Sequence, residues 1–242
     1  MPRMSKPETI AFIPARGGSK RVPGKNVKPF HGQPLAWWTI DLAKRSRLFS
    51  QIIVSTDDPS LVDLACAEGC TVLERPAHLA NDTATVVEVI RQVGETLGLT
   101  DETRIAVLLV TGPLRVMSDL IEGFRLFEEH GGKRTVLAVS LNPTPPALLW
   151  EMGENGALRS LAAAQDQSYT RKQGHASTYY SNDILTLDTL GAFKVPGRSL
   201  FGMDPLALVV PPERSMPIDE PYQFKLAELL FPPTDERAET AR

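Results

Sequence analysis

The chain has 242 residues, 42% hydrophobic and 23% charged, with no apolar run near the roughly 20 residues of a membrane span. This suits one sizeable α/β domain and excludes both a small disulfide scaffold and a membrane-spanning protein. Lys and Arg number 26 against 29 Asp and Glu, a net charge of −3, so nonspecific nucleic-acid binding has no electrostatic basis. Met1 to Glu8 is short, polar and without the apolar stretch of a signal peptide, and the expectation is a cytoplasmic protein with a flexible start over residues 1–8.

The first predicted strand is Thr9 to Pro14, TIAFIP. The stretch after it, Pro14-Ala15-Arg16-Gly17-Gly18-Ser19-Lys20-Arg21-Val22-Pro23-Gly24-Lys25-Asn26, is the strongest chemical signal in the chain. Arg16, Lys20, Arg21, Lys25 and Lys28 lie in a segment, Thr9 to Ile40, that holds no acidic residue before its end. Glycines that let backbone N–H groups approach a ligand, interleaved with cations, describe an anion site for a nucleoside triphosphate. The spacing matches neither the phosphate loop G-x-x-x-x-G-K-[ST] nor the dinucleotide fingerprint G-x-G-x-x-G.

A helix over Leu35 to Arg47 follows, its Trp37 and Trp38 reading as core or interface aromatics. Gln51 to Thr56 is a second strand, and Asp57-Asp58-Pro59 opens a helix to Glu68, with Asp58 as its N-cap and Asp57 left open. Cys66 and Cys70 lie at that helix's end and the next strand without partners for a zinc site, so they read as buried thiols. Asp82 is either a site residue or the cap of a helix over Thr83 to Leu97. Strands over Arg104 to Val110 and Arg134 to Leu141 flank a helix over Ser118 to His130, and with the first two strands they read as central and parallel. Alternating strand and helix predicts a doubly wound sheet with helices on both faces and its ligand crevice at the carboxyl ends of the strands.

From about Asn142 to Tyr180 prolines and mixed polar and aromatic residues mark a β-rich excursion, a pocket wall or a dimer arm, with Tyr179 and Tyr180 lining a ligand site or a dimer seam. Leu206 to Val210 reads as a returning strand, Glu220 to Leu230 as a last helix, and residues 232–242 as a flexible tail. His31, His78, His130 and His175 lack paired carboxylates, and none is expected to act as a general base.

The basic loop resembles the hallmark of the acylneuraminate-type cytidylyltransferases, which activate nonulosonic acids such as sialic acid as CMP-sugars. The likeness continues through Gly32-Gln33-Pro34-Leu35, Val54-Ser55-Thr56-Asp57-Asp58, Glu74-Arg75-Pro76-Ala77-His78-Leu79-Ala80-Asn81-Asp82-Thr83, Thr111-Gly112-Pro113-Leu114-Arg115, Arg171-Lys172-Gln173 and Ile218-Asp219. It implies one nucleotidyltransferase domain over 9–230 with a mostly parallel sheet of the nucleotide-diphospho-sugar transferase kind. It further implies CTP and an acidic sugar as substrates, Mg²⁺ as cofactor, and a homodimer formed through the excursion.

The resemblance places Ala15, Arg16, Gly17, Gly18, Ser19, Lys20, Lys25 and Asn26 on the CTP phosphates, with Lys20, Lys25 and Arg16 as catalytic candidates. Arg75 would face the cytosine side beside Asp82, and Asp219 would hold the metal. Arg171, Gln173, Arg115 and Tyr180 would meet the sugar, with Arg171 on its carboxylate.

Three departures stand out. The family's Asp-Ile-Asp is Pro217-Ile218-Asp219 here, one carboxylate fewer, which implies weaker metal binding, a substitute ligand such as Glu220, or a noncatalytic relative. Its Leu-Gln-Pro-Thr-Ser-Pro-Leu-Arg reads Leu108-Leu109-Val110-Thr111-Gly112-Pro113-Leu114-Arg115, and its Asn-Gly-Ala-x-Tyr reads Asn182-Asp183-Ile184-Leu185-Thr186. These changes imply a nonulosonic acid other than ordinary sialic acid. The alternatives are a noncatalytic nucleotide- or sugar-binding relative and a nucleotide-sugar glycosyltransferase, the latter needing an Asp-x-Asp metal motif.

Overall fold

A computed structural model describes residues 7–160 and 177–231. Its centre is a seven-stranded sheet in the order β11-β7-β10-β6-β1-β4-β5. The strands are β1 (Thr9–Pro14), β4 (Gln51–Thr56), β5 (Thr71–Glu74), β6 (Arg104–Val107), β7 (Val136–Leu141), β10 (Tyr179–Thr189) and β11 (Leu206–Val209). β6, β1, β4 and β5 pair in parallel, as do β7 and β11, and only β10 runs antiparallel to its neighbours. The expectation of a mostly parallel sheet with helices on both faces holds.

The apolar runs are continuous because both faces are covered. Ala11 and Ile13 of β1 face a core built with α1 (Leu35–Ser46), α2 (Pro59–Ala67), α4 (Met117–Glu129) and α6 (Pro221–Leu230). Ile10 and Phe12 alternate to the other face, against α3 (Val86–Thr96) and α5 (Leu190–Lys194). Trp38 packs on the first core and donates to the Phe30 carbonyl at 2.7 Å, while Trp37 donates to Glu68 Oε1 at 2.9 Å.

The structure corrects several expectations. The strand over Arg134 to Leu141 does not pair with the parallel block, because β10 lies between it and β6. β10 lacks the signature of a buried strand, since its sequence, YYSNDILTLDT, carries polar residues into the sheet centre. They are satisfied there: Asn182 Nδ2 donates to Ser140 Oγ at 3.0 Å, and Asp188 accepts from Thr135 Oγ1 at 2.6 Å and from Arg198. The helix expected from Thr83 starts at Val86, capped by Thr85, whose hydroxyl accepts from the Glu88 N–H while Glu88 accepts from the Thr85 N–H. Cys66 is exposed rather than buried and Cys70 is half-buried; both thiols are free. Within the excursion, β8 (Trp150–Met152) and β9 (Leu158–Ser160) form an antiparallel hairpin.

Candidate active site

A cleft of about 580 Å³ opens at the carboxyl ends of β1 and β6, the position a doubly wound sheet reserves for ligands. Its walls are the basic loop, the Leu109–Thr111 segment after β6, Asp82, Asp183 of β10, and Asp219 just before α6.

The loop is pinned from behind. Ala15 N–H donates to the Ser55 carbonyl at 2.9 Å, and Asn26, buried, donates from Nδ2 to the Arg16 carbonyl at 2.9 Å. Gly17 N–H, expected to be available for phosphate, donates instead to Asp57 Oδ1 at 2.8 Å. A Cβ on Gly17 would sit 3.2 Å from Asp58 Cβ, so glycine is what lets the loop close on the turn after β4. Asp58 accepts from Ser60 N–H at 3.0 Å and caps α2 ahead of Pro59, as expected.

The loop cations reach three places. Arg16 donates to Asp82 Oδ1 at 2.7 Å and Lys20 pairs with the other oxygen of the same carboxylate, the two holding Asp82 below the usual carboxylate range. Asp82 lines the cleft, and it does not cap α3, which begins beyond it with Thr85 as its cap. Lys25 is largely enclosed, donating to the Ile218 carbonyl at 2.5 Å and lying 3.4 Å from Asp219 Oδ1. Burial lowers its pKa from the usual lysine value, with Asp219 and Asp183 opposing. Arg21 lies 2.9 Å from Glu220 Oε1 and 3.5 Å from Asp219.

Asp219 is not a helix cap. Glu220 takes that position, and the backbone N–H groups of Asp219 and Glu220 both donate to Gln223 Oε1, at 2.8 and 2.7 Å. Its carboxylate is thereby left to the cleft. Burial pushes the Asp183 carboxyl above the ordinary range, a shift that Asp219 adds to and that the Thr111 hydroxyl, Arg115 and Lys25 oppose.

Beside the cleft a side pocket of about 290 Å³ runs between Arg75, Asp82, Leu109 and the start of α3. Arg75 is buried, donates to the Ser55 carbonyl at 3.2 Å, and has an enclosed Nε with no partner among the described residues. Burial lowers its pKa against the attraction of Asp57.

Two expected sugar contacts are corrected. Arg115 is 1% exposed, and its guanidinium donates to the carbonyls of Ile184, Leu109 and Asp183, the last two at 3.0 and 2.7 Å. It ties the cleft wall together from inside. The Tyr180 hydroxyl is bonded to Ser215 Oγ at 2.7 Å, and the residue lies outside the cleft lining. Arg171, Gln173 and His175 fall outside the described residues. Sequence reasoning missed Asp183 and Thr111 as cleft residues; the signal was a carboxylate standing where the resembled pattern has glycine.

A sequence profile described as cytidylyltransferase matches residues 10–106. The chain is 29% identical over 225 residues to the N-acylneuraminate cytidylyltransferase of Escherichia coli O18:K1:H7, covering 90% of this chain and 51% of that protein. It is 29% identical over 229 residues to the Helicobacter pylori pseudaminic acid cytidylyltransferase and UDP-2,4-diacetamido-2,4,6-trideoxy-beta-L-altropyranose hydrolase, covering 94% of this chain and 43% of that one. It thus spans about half the length of both relatives. Among solved structures, CMP:2-keto-3-deoxy-manno-octonic acid synthetase complexed with CTP shares the fold, with a TM-score of 0.68 at 15% identity over 92% of this chain and 98% of that one. The resemblance to nonulosonic acid cytidylyltransferases is borne out.

Proposed function

We propose that this chain, similar to cytidylyltransferases in sequence and in fold, couples CTP to an acidic nonulosonic sugar and releases a CMP-sugar and pyrophosphate. The observation that carries the reading is the cation-lined cleft at the sheet's carboxyl edge, with Lys25 enclosed beside Asp219. A sugar hydroxyl attacks the α-phosphorus in line as the bond to the β-phosphate oxygen breaks, and negative charge gathers on the departing pyrophosphate. Arg16, Lys20 and Lys25 hold the phosphates and stabilise that charge.

The cations differ in readiness. The Lys20 side chain is 80% exposed and its partner Asp82 is 49% exposed, so solvent screens that pair and an arriving triphosphate displaces it readily. Lys25 is fixed in place before substrate arrives, which is the arrangement that favours charge formed only in the transition state. Arg75, whose Nε has no partner among the described residues and which lines the side pocket, faces the base.

The donor set also fits Mg²⁺, a hard cation that takes one or two carboxylates and fills the rest of its shell with phosphate and water oxygens. Asp219 would hold it, and bound there it neutralises the triphosphate. The glycosyltransferase alternative loses its basis, because Asp57 is committed to Gly17 and Asp58 to the cap of α2.

Pairing of two copies in a cytoplasmic homodimer belongs to the same reading and is supported by the β8–β9 hairpin, which exposes Trp150, Met152 and Leu158. Light scattering on the purified chain tests it, and a single-chain mass rejects it.

The deciding experiment measures pyrophosphate release over the four nucleoside triphosphates and a panel of acidic sugars. Release with CTP and one acidic sugar is expected. CTP binding without release from any sugar would favour the noncatalytic relative that the loss of a carboxylate at Pro217 suggests.

A further inference from the structure

We infer that Asp183 supplies, from across the cleft, the second carboxylate that Pro217 no longer provides, so that Asp183 and Asp219 together hold the divalent cation. The inference rests on the reading of the cleft as a CTP site with a bound divalent metal.

Four observations converge on Asp183. It lines the same cleft as Asp219 and the phosphate loop. The two carboxylate-bearing segments are joined through one residue: Thr111 accepts at its carbonyl from Ile218 N–H at 2.9 Å and donates from its hydroxyl to Asp183 Oδ2. That bond leaves Asp183 Oδ1 without a donor among the described residues. The pairing of β10 with β7 slips between Ser181 and Thr186, an irregularity of the kind that re-aims a side chain at a sheet rim, and Asp183 sits inside it.

The departure at Gly112 makes room for this arrangement. A Cβ at Gly112 would lie 2.7 Å from the Asp183 carbonyl oxygen, closer than any real contact, so the serine of the resembled pattern does not fit against this strand position. The same carbonyl accepts from the buried Arg115 at 2.7 Å, which fixes the backbone carrying the carboxylate. Loss of an acid at 217, gain of one at 183 and a glycine at 112 are thus one linked change. Lys25 and Arg21, 3.4 and 3.5 Å from Asp219, supply positive charge facing this pair within the chain. One carboxylate on β10 and one on the loop ahead of α6 suit an ion that keeps water and phosphate in its shell better than a closed protein cage would.

The test uses the full chain with CTP and reads Mn²⁺ binding by electron paramagnetic resonance. Asp183→Asn, checked for folding by thermal melting, is expected to weaken Mn²⁺ about tenfold, the scale of losing one supporting carboxylate. Adding Pro217→Asp to that variant is expected to recover the affinity. In Asp183→Cys a thiolate replaces a hard oxygen, and preference is expected to swing toward Cd²⁺ by about tenfold or more. This second variant gives a gain of binding that misfolding does not produce. Wild-type Mn²⁺ affinity in Asp183→Asn, or no gain of Cd²⁺ in Asp183→Cys, with CTP still bound, overturns the role of Asp183 and leaves the CTP reading standing. A wild-type chain that fails to bind CTP overturns both.

Discussion

Two pairs of aspartates in this chain look opposite in sequence and in space. Asp57 and Asp58 are adjacent and resemble a metal-binding pair, yet one carboxylate holds Gly17 N–H and the other caps α2. Asp183 and Asp219 are far apart in the chain, and Thr111 bridges their segments at the rim of one cleft. Neighbouring residues at a strand-to-helix turn meet strong local demands, because the turn has backbone N–H groups to satisfy. Asp183, inside the irregular stretch of β10, and Asp219, ahead of the residue that caps α6, carry no such cap and line the cleft instead.

The contrast can be sharpened first through Lys25, the enclosed cation beside Asp219. Lys25→Ala is expected to lower kcat for pyrophosphate release about 10³-fold, near the upper range for removing one preorganised charge-stabilising group. Lys20→Ala, which removes an exposed and displaceable cation, is expected to cost markedly less. Equal losses in the two variants would mean that enclosure of Lys25 contributes nothing.

Next in size is the support behind the distant pair. Arg115→Met leaves the carbonyls of Leu109, Asp183 and Ile184 without their donor and is expected to lower stability by about 3 kcal/mol in urea unfolding. An unchanged unfolding midpoint would show that Asp183 is held by other means.

The adjacent pair predicts a smaller effect of a different kind. Asp58→Ala removes an N-cap and is expected to cost about 1 kcal/mol of stability while Mn²⁺ affinity stays at the wild-type level. A loss of metal binding in that variant would break the comparison outright.

An effect confined to alkaline pH lies outside both pairs, at Cys70. Burial raises its thiol from the usual 9.0 to about 11. The unfolded chain therefore loses this proton before the folded one does, and the contribution to stability is complete below pH 9 and falls away as pH rises toward 11. Chemical denaturation from pH 8 to 11 is expected to show a shallower decline for Cys70→Ala than for the wild type.

What the sequence determined by itself was whatever rests on neighbours along the chain. The apolar runs gave β1 and β4 to the residue, because strands covered on both faces need no polar positions. The Asp58-Pro59 cap announced α2, and the acid-free run of cations announced the basic loop that lines the cleft. Tertiary structure decided the rest: β10 as the antiparallel strand in the sheet centre, Arg115 as an internal tie rather than a sugar contact, and Asp183 as a wall of the cleft. These depend on partners many residues away, namely Ser140 for Asn182, Thr135 for Asp188 and Thr111 for Asp183. A polar side chain reads as exposed until the fold brings the group that satisfies it, and only the packed sheet brings that group.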